Sequence, residues 1–141
     1  MSHGPGVLLG FDFGTRRIGV AVGESVTGTA RPLASVRVKH DRPDWDGIRR
    51  LIETWRPEGL VVGLPLQMDG SEQDTTVAAL RFGRQLAGRY GLPVHTMDER
   101  LTTRAAASLL VSKGRKLVGD DLDPVAATLI LESWFRQQPL Q

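Results

Sequence analysis

Two short apolar runs near the start of the chain, with an aspartate inside the first, constrain the fold most. Residues 7–13 read Val-Leu-Leu-Gly-Phe-Asp-Phe, residues 18–23 read Ile-Gly-Val-Ala-Val-Gly, and Gly14-Thr15-Arg16-Arg17 joins them. Two such runs with a glycine-containing turn between them predict a β-hairpin. The carboxylate of Asp12 is costly to bury in such a strand unless a partner compensates its charge.

Two interpretations of Asp12 follow from this position. In one, its carboxylate accepts hydrogen bonds from backbone amides and only stiffens the turn. In the other, a bound cation compensates the charge, and the arginines of the adjoining turn, Arg16 and Arg17, indicate metal-assisted chemistry on a phosphate. The acids found farther along the chain favour the second interpretation.

Length and composition predict one globular domain over residues 1–141, with residues 1–6 expected to be flexible. Of its 141 residues, 40% are hydrophobic and 24% charged, as in ordinary globular proteins. The net charge of +2 permits a nucleic-acid partner without requiring one. Cysteine is absent, which excludes disulfides and thiolate metal ligands. No run approaches membrane-spanning length, so we expect a soluble cytoplasmic protein with no membrane partner.

After the hairpin, strand-like and helix-like segments alternate, and glycine and proline punctuate them. The predicted elements are a strand over residues 34–39 after a break at Arg31-Pro32, a loop over 40–44, a helix over 45–55, a buried strand over 59–64, a helix from Ser71 with Asp74 in a capping box, a strand over 94–97, a helix over 102–112, an irregular stretch over 112–121, and a closing helix from Asp123-Pro124 to about residue 137.

This order predicts an α/β fold. Its mixed five-stranded sheet combines a three-strand antiparallel meander with two parallel strands, and right-handed crossovers put helices on both faces. The carboxyl ends of the strands that run parallel to the first meet at one edge, where sites usually form. We therefore expect Asp12, the loop over residues 64–70 and Glu99 to lie at the same edge.

Three acids at this edge predict a two-metal site. Phosphodiester cleavage by two cations needs carboxylates that hold the ions about 3.5–4 Å apart, and Mg²⁺ and Mn²⁺ prefer oxygen ligands. Asp12 would bridge both ions, Glu99 would come from the last strand, and Asp123 from the first turn of the closing helix.

Other interpretations of the same residues stay open. Asp123 before Pro124 is also a good helix N-cap, and Asp98 is an alternative to Glu99. The basic cluster of Lys113, Arg115 and Lys116 is either a solvated loop or a clamp on phosphates.

Taken together, the motifs resemble those of the YqgF family, also called RuvX, to which Holliday junction resolvases and nucleases of pre-16S rRNA are assigned. The resemblance covers nearly the whole chain in family order and spacing. Its segments are residues 10–22, Gly28–Leu33, Val62–Leu66 with Met68–Gly70, Asp98–Thr103, and Asp123 with 126–127 and 130–133.

The resemblance implies an RNase H-like fold, a divalent metal, and trimming of pre-16S rRNA or cleavage of branched or single-stranded DNA. It puts the acidic triad at Asp12, Glu99 and Asp123. Related nucleases often carry an acid at the end of the fourth strand, where this chain has Gly63-Leu64-Pro65, so Glu99 must supply the second acid. The expected contacts to nucleic acid are Thr15, Arg16, Arg17, Arg100, Lys113, Arg115 and Lys116.

Two other functions compete with the nuclease. Asp12-Phe13-Gly14-Thr15 also looks like the phosphate loop of actin-like ATPases, although those enclose nucleotide between two such domains. The third candidate is an RNA-binding ribosome-assembly factor without catalysis. The sequence does not distinguish RNA from DNA, endonuclease from exonuclease action, Mg²⁺ from Mn²⁺, or a monomer from a dimer.

Overall fold

Six strands and three helices follow one another in the part of the chain that the structure describes. It is a computed structural model that describes residues 6–101 and 119–138, and side chains in the second range from Pro124 onward. The elements are β1 (Val7–Phe13), β2 (Arg17–Glu24), β3 (Thr29–Lys39), β4 (Arg42–Pro43), α1 (Trp45–Trp55), β5 (Gly59–Leu64), α2 (Asp74–Tyr90), β6 (Val94–Asp98), a 3₁₀ helix (Glu99–Leu101) and α3 (Gly119–Gln137).

The six strands form one mixed sheet in the order β4-β3-β2-β1-β5-β6. Strands β1 to β4 pair antiparallel with one another, whereas β5 and β6 run parallel to β1. The predicted α/β fold is confirmed, and β1 is central. The prediction of five strands was wrong by one, because residues 40–44 are not only a loop. His40 and Asp41 turn with positive φ of 51° and 60°, and β4 then pairs with the end of β3.

Strand β3 is longer than predicted, because Pro32 does not break it. The strand begins at Thr29, and its pairing with β2 shifts where Val20 faces Ala34 and Ala21 faces Pro32, so Leu33 is an extra residue. Such a bulge accommodates a proline, which has no N–H to donate. At this point β3 is also the outer strand, since β4 reaches only Val38 and Lys39.

The strands alternate their side chains between two hydrophobic layers. The α1–α2 layer contains Leu9, Phe11, Val62, Ile48 and Phe82, and the α3 layer contains Leu8, Val61, Met97, Ala127, Ile130 and Leu131. Glycines let α3 lie directly on the sheet. A Cβ added to Gly10 would be 3.0 Å from Leu131 Cβ, and one added to Gly23 would be 2.9 Å from Phe135 Cε2.

Two helices begin at other residues than predicted. Helix α2 begins at Asp74 rather than Ser71, because Ser71 donates hydrogen bonds to Asp69 Oδ1 from its hydroxyl (2.6 Å) and its backbone N–H (2.9 Å). Thr76 closes the first turn of α2 instead, by accepting a hydrogen bond from the Gln73 N–H at 3.1 Å.

Helix α3 begins at Gly119 rather than at Asp123. Residues 119–121 are therefore helical and do not belong to an irregular stretch, and Pro124 lies inside the helix. Position 123 is consequently not an N-cap. The predicted helix over residues 102–112 lies outside the described residues, as does the predicted irregular stretch up to residue 118. None of the described helices is long and apolar enough to cross a membrane.

Candidate active site

Asp12 lies on the α3 face of the central strand. Leu8, Gly10 and Asp12 alternate with Leu9 and Phe11, which belong to the opposite layer. The side chain of Asp12 is half-buried. Because α3 packs directly on Gly10, Asp12 stands one step farther toward the carboxyl edge, beside the first turns of that helix.

Glu99 reaches the same face from the end of β6, and Gly63 makes room for it. A Cβ added to Gly63 would lie 3.0 Å from Glu99 Oε2 and 3.1 Å from its Cγ, and would collide with Ile130 Cδ1. In the parallel pairing of β1 and β5, Phe11 is beside Val62, so the following rung brings Asp12 next to Gly63. Asp12 and Glu99 are therefore neighbours across one strand spacing of about 4.8 Å.

The environment of Glu99 disfavours its charge. Burial raises the pKa of the Glu99 carboxyl above its ordinary value, and the nearby negative charge of Asp98 raises this pKa further. A cation at this position would remove the cost of the buried charge, and the glycine leaves the space that the carboxylate needs. The residues present thus fit a divalent metal ion.

Asp98 lies on the opposite face of β6 and is engaged there by Arg100. The Arg100 guanidinium donates to Asp98 Oδ2 from Nη2 at 2.6 Å and from Nε at 3.0 Å, and the Arg100 N–H donates to Oδ1 at 2.9 Å. This pairing holds the pKa of the Asp98 carboxyl below its usual value. Arg100 also donates from Nη1 to the Met68 carbonyl at 3.2 Å, so the pair fastens the loop that follows β5.

Position 123 lies on the sheet-facing side of α3, one turn before Ala127, which is fully buried against the sheet. Its side chain is outside the description. Among the side chains that the structure describes, no three His, Asp or Glu residues are grouped closely enough to hold a metal ion. The structure thus brings Asp12 and Glu99 together. For the third predicted acid, Asp123, it describes only the position of the backbone.

The basic residues predicted to contact nucleic acid have different surroundings. Thr15 and Arg16 in the β1–β2 turn, and Arg17 at the start of β2, are exposed. Gly14 of this turn has no room for a side chain, because an added Cβ would be 2.5 Å from the Arg17 carbonyl oxygen. Arg100 is held by Asp98 and the Met68 carbonyl. Lys113, Arg115 and Lys116 lie outside the described residues.

Sequence reasoning missed the part that Gly63 plays. It treated the end of β5 only as a place where an acid is absent, whereas Gly63 in this strand creates the space that Glu99 occupies. A glycine inside an otherwise apolar strand was the available signal, because such glycines often mark the close approach of another group.

Comparisons with known proteins agree with this fold. The model of the family described as "RuvX: Holliday junction resolvase" matches residues 6–137. A relative from Azotobacter vinelandii, named "Putative pre-16S rRNA nuclease", is 48% identical over 138 residues, which are 96% of this chain and 97% of the relative. A relative of the same name from Actinobacillus pleuropneumoniae is 50% identical over 133 residues, 93% of this chain and 97% of the relative.

Solved structures that are similar to the chain support the fold alone, because their sequences have diverged. T. thermophilus RuvC in complex with a Holliday junction substrate matches with a TM-score of 0.56 and 19% identity, over 92% of this chain and 93% of that chain. The fowlpox virus resolvase with Holliday junction DNA matches with a TM-score of 0.56 and 10% identity, over 92% and 97%.

Proposed function

The chain belongs to the RuvX family of Holliday junction resolvases and is a nuclease; we propose that it hydrolyses phosphodiester bonds with the help of divalent metal ions, Mg²⁺ or Mn²⁺. The adjacency of Asp12 and Glu99 carries this proposal. Glu99 lies over Gly63, on the rung next to Asp12. Two carboxylates this close repel each other unless a cation lies between them, and oxygen ligands suit both metals.

Asp12, Glu99 and Asp123 are the proposed ligands, with Asp12 between the other two. When bound there, a pair of divalent ions would activate water and stabilise the leaving oxygen of the phosphodiester. Support for Asp123 comes from its position on the sheet-facing side of α3, in register with Ala127. The carboxylates would hold and orient the ions, and the apolar side chains of the α3 layer would limit the access of other water to this face.

Two positioning contacts hold the ligands in place. Gly63 lets the Glu99 carboxylate lie against the sheet. Arg100 keeps Asp98 on the other face of the sheet through a 2.6 Å ion pair. Because Arg100 also binds the Met68 carbonyl, this pair stabilises the loop after β5. We therefore assign the second ligand to Glu99 and give Asp98 and Arg100 a structural role at the rim of the site.

For the substrate we propose RNA, in the maturation of the 5′ end of pre-16S rRNA. The names of relatives that are 48–50% identical over nearly the whole chain support this choice. Cleavage of branched or single-stranded DNA is the second candidate, supported by the description of the family. Action on ribosomal RNA precursors also places the protein in the cytoplasm in this proposal.

The β1–β2 turn is the proposed first contact with the substrate backbone. Thr15, Arg16 and Arg17 are exposed at the same sheet edge as Asp12, and their donors suit phosphate oxygens. In the proposal, Lys113, Arg115 and Lys116 form a second phosphate contact.

Cleavage of a substrate panel tests the proposal. The panel contains precursor-like rRNA, single-stranded RNA, single-stranded DNA and four-way junctions, each in Mg²⁺ and in Mn²⁺. Asp12→Asn should lower cleavage by orders of magnitude, because stabilisation of charge by the metals is the main catalytic contribution. Glu53→Gln on the exposed side of α1 is the control and should cleave like wild type. Undiminished cleavage by Asp12→Asn would falsify the proposal.

Thermal melting provides a readout that does not depend on activity. Mg²⁺ or Mn²⁺ at about 100 times its Kd should stabilise wild type by roughly 2.7 kcal/mol through binding linkage, and should stabilise Asp12→Asn less. Binding of RNA with no cleavage in any metal would support the RNA-binding assembly factor instead. A shift caused by ATP with Mg²⁺, but not by Mg²⁺ alone, would support the nucleotide-binding domain.

A further inference from the structure

Three cations line the outer strands at the same sheet edge as Asp12. Arg37 and Lys39 alternate on β3 with Val36 and Val38, which point into the α1–α2 layer. Arg37 and Lys39 therefore face the α3 side, as Asp12 does. Arg42 on β4 is paired with Lys39 and faces the same side. We call Arg37, Lys39 and Arg42 the β3–β4 basic surface.

This surface brings like charges directly opposite one another. Arg17 on β2 pairs with Arg37 on β3, and Lys39 on β3 pairs with Arg42 on β4. Like charges in such cross-strand pairs destabilise a sheet. Repulsion between Lys39 and Arg42 therefore costs stability in the isolated protein, and an anion from outside would relieve that cost.

Among the side chains that the structure describes, acids do little to neutralise the β3–β4 basic surface. Over the described residues, none of its three cations forms an ion pair. Asp44 borders the surface, but its carboxylate accepts a hydrogen bond from the Gly47 N–H at 3.1 Å and caps α1. Asp41 is exposed in the turn before β4.

A groove beside the β1–β2 turn includes two of these cations, Arg37 and Lys39, in its lining. It has a volume of about 850 Å³ and runs between β3 and the start of α3, with Ser35, Arg37 and Lys39 on one side and Pro124 and Val125 on the other. Asp12 pairs with Gly19, which in turn pairs with Ser35. Arg37 thus lies roughly 10 Å across the sheet from Asp12 and about 7 Å farther along the strand.

We propose that this groove and the β3–β4 basic surface hold a single strand of the nucleic acid next to the phosphate that is cut. Arg37 and Lys39 follow one another along β3, and Arg42 lies beside Lys39 on β4. So narrow a patch suits one phosphate backbone, whereas a duplex presents two backbones. Contacts to phosphate carry no information on base sequence, so binding is independent of sequence. The inference rests on the proposed function, because it names the path of the substrate at that site.

Binding without cleavage tests this path. Labelled single-stranded RNA is titrated in metal-free buffer at several salt concentrations, with Arg37, Lys39 and Arg42 all replaced by Gln. Three lost phosphate contacts should flatten the slope of log K against log salt by about 2, at about 0.7 per contact for a single strand. Affinity should fall alike for all sequences.

A charge-matched control separates this surface from a general effect of charge. The control is a separate variant in which three arginines exposed on α1 and α2, Arg50, Arg81 and Arg84, are replaced by Gln. Its slope of log K against log salt should change by less than about 0.7, the value for one phosphate contact. Thermal melting checks that both variants are folded. An equal change in the control, no change in the first variant, or no RNA binding by wild type overturns the inference.

Duplex RNA and metal-dependent cleavage complete the test. Replacing Arg37, Lys39 and Arg42 by Gln should reduce the affinity for duplex RNA of the same sequence less than the affinity for the single strand. An equal or larger reduction for the duplex overturns the assignment to a single strand. Cleavage that Asp12→Asn does not reduce would defeat the proposed function alone, because the binding experiment contains no metal and no cleavage.

Discussion

The parallel strands and the outer antiparallel strands offer opposite charges at one edge of the same sheet. On the parallel side, Asp12 and Glu99 are partly buried under α3, and burial disfavours the charge of Glu99. On the antiparallel side, Arg37, Lys39 and Arg42 are exposed. Water screens the exposed cations and leaves them available to a large partner. Under the proposed function the partly buried acids hold a small metal ion, so burial separates the residues proposed to hold metal from those proposed to hold substrate.

The largest effect should distinguish the two acids at the end of β6. Glu99→Gln should lower cleavage by about 100-fold or more, because it removes a proposed ligand. Asp98→Asn should lower cleavage only a few-fold, because Asp98 fastens Arg100 on the other face. Rates measured at saturating Mg²⁺ check this, and the reverse order would assign the ligand to Asp98.

The next effect concerns the space beneath Glu99. Gly63→Ala adds a Cβ that meets Glu99 and Ile130, so it should destabilise the fold by about 1–3 kcal/mol, as overpacking does, and reduce cleavage as well. Gly88→Ala is the control, because nothing lies within 4 Å of its added Cβ. In helix α2 that change should stabilise by up to about 1 kcal/mol. Urea unfolding measures the change in the free energy of unfolding for both variants. Equal changes would contradict the claim that Gly63 provides the space for Glu99.

A smaller effect of opposite sign is expected on the antiparallel side. Arg37→Gln removes one of two arginines that face each other across β2 and β3, so it should stabilise the metal-free protein by about 0.2–1 kcal/mol at low salt. Arg84→Gln on α2 should have no such effect. The gain should shrink in 1 M salt, where the Debye length is about 3 Å. A gain that is independent of salt would contradict repulsion as its cause.

The smallest effect tests the backbone around position 123. Since α3 begins at Gly119, Asp123→Ala removes no cap and should stabilise the metal-free helix by about 0.5 kcal/mol relative to Asp123→Asn, because alanine has the higher helix propensity. If residue 123 were the N-cap, alanine would instead cost about 0.5–2 kcal/mol. Melting of the two variants in chelator decides between these signs.

Periodicity and punctuation predicted the elements that local sequence controls. The β1–β2 hairpin, helix α1 and strand β5 have their predicted positions. The apolar residues of α1 recur at helical spacing, whereas the short apolar runs of the three strands are bounded by glycine or proline. The edge that gathers Asp12 and Glu99 also followed from the order of the strands. What could not be predicted depends on pairing between distant residues.

Three features illustrate this dependence on distant residues. The bulge that carries β3 past Pro32 depends on its register with β2. The start of α2 depends on the Pro65 carbonyl, which accepts a hydrogen bond from the Thr76 hydroxyl across the preceding loop. The space for Glu99 depends on Gly63, in the neighbouring strand. None of these contacts leaves a periodic signal in the sequence.

The packing of α3 on Gly10 and Gly23 also sets an order of events during translation. Strands β1, β2 and β3 are made first and pair through local contacts, which form quickly. The helix that covers their second face follows the other described elements. Because that helix also carries Asp123, a proposed metal ligand, the nascent chain would complete the proposed acidic site only after α3 has left the ribosome. Under the proposed function, the ribosome that makes this nuclease is therefore not exposed to a competent enzyme until synthesis of α3 is finished.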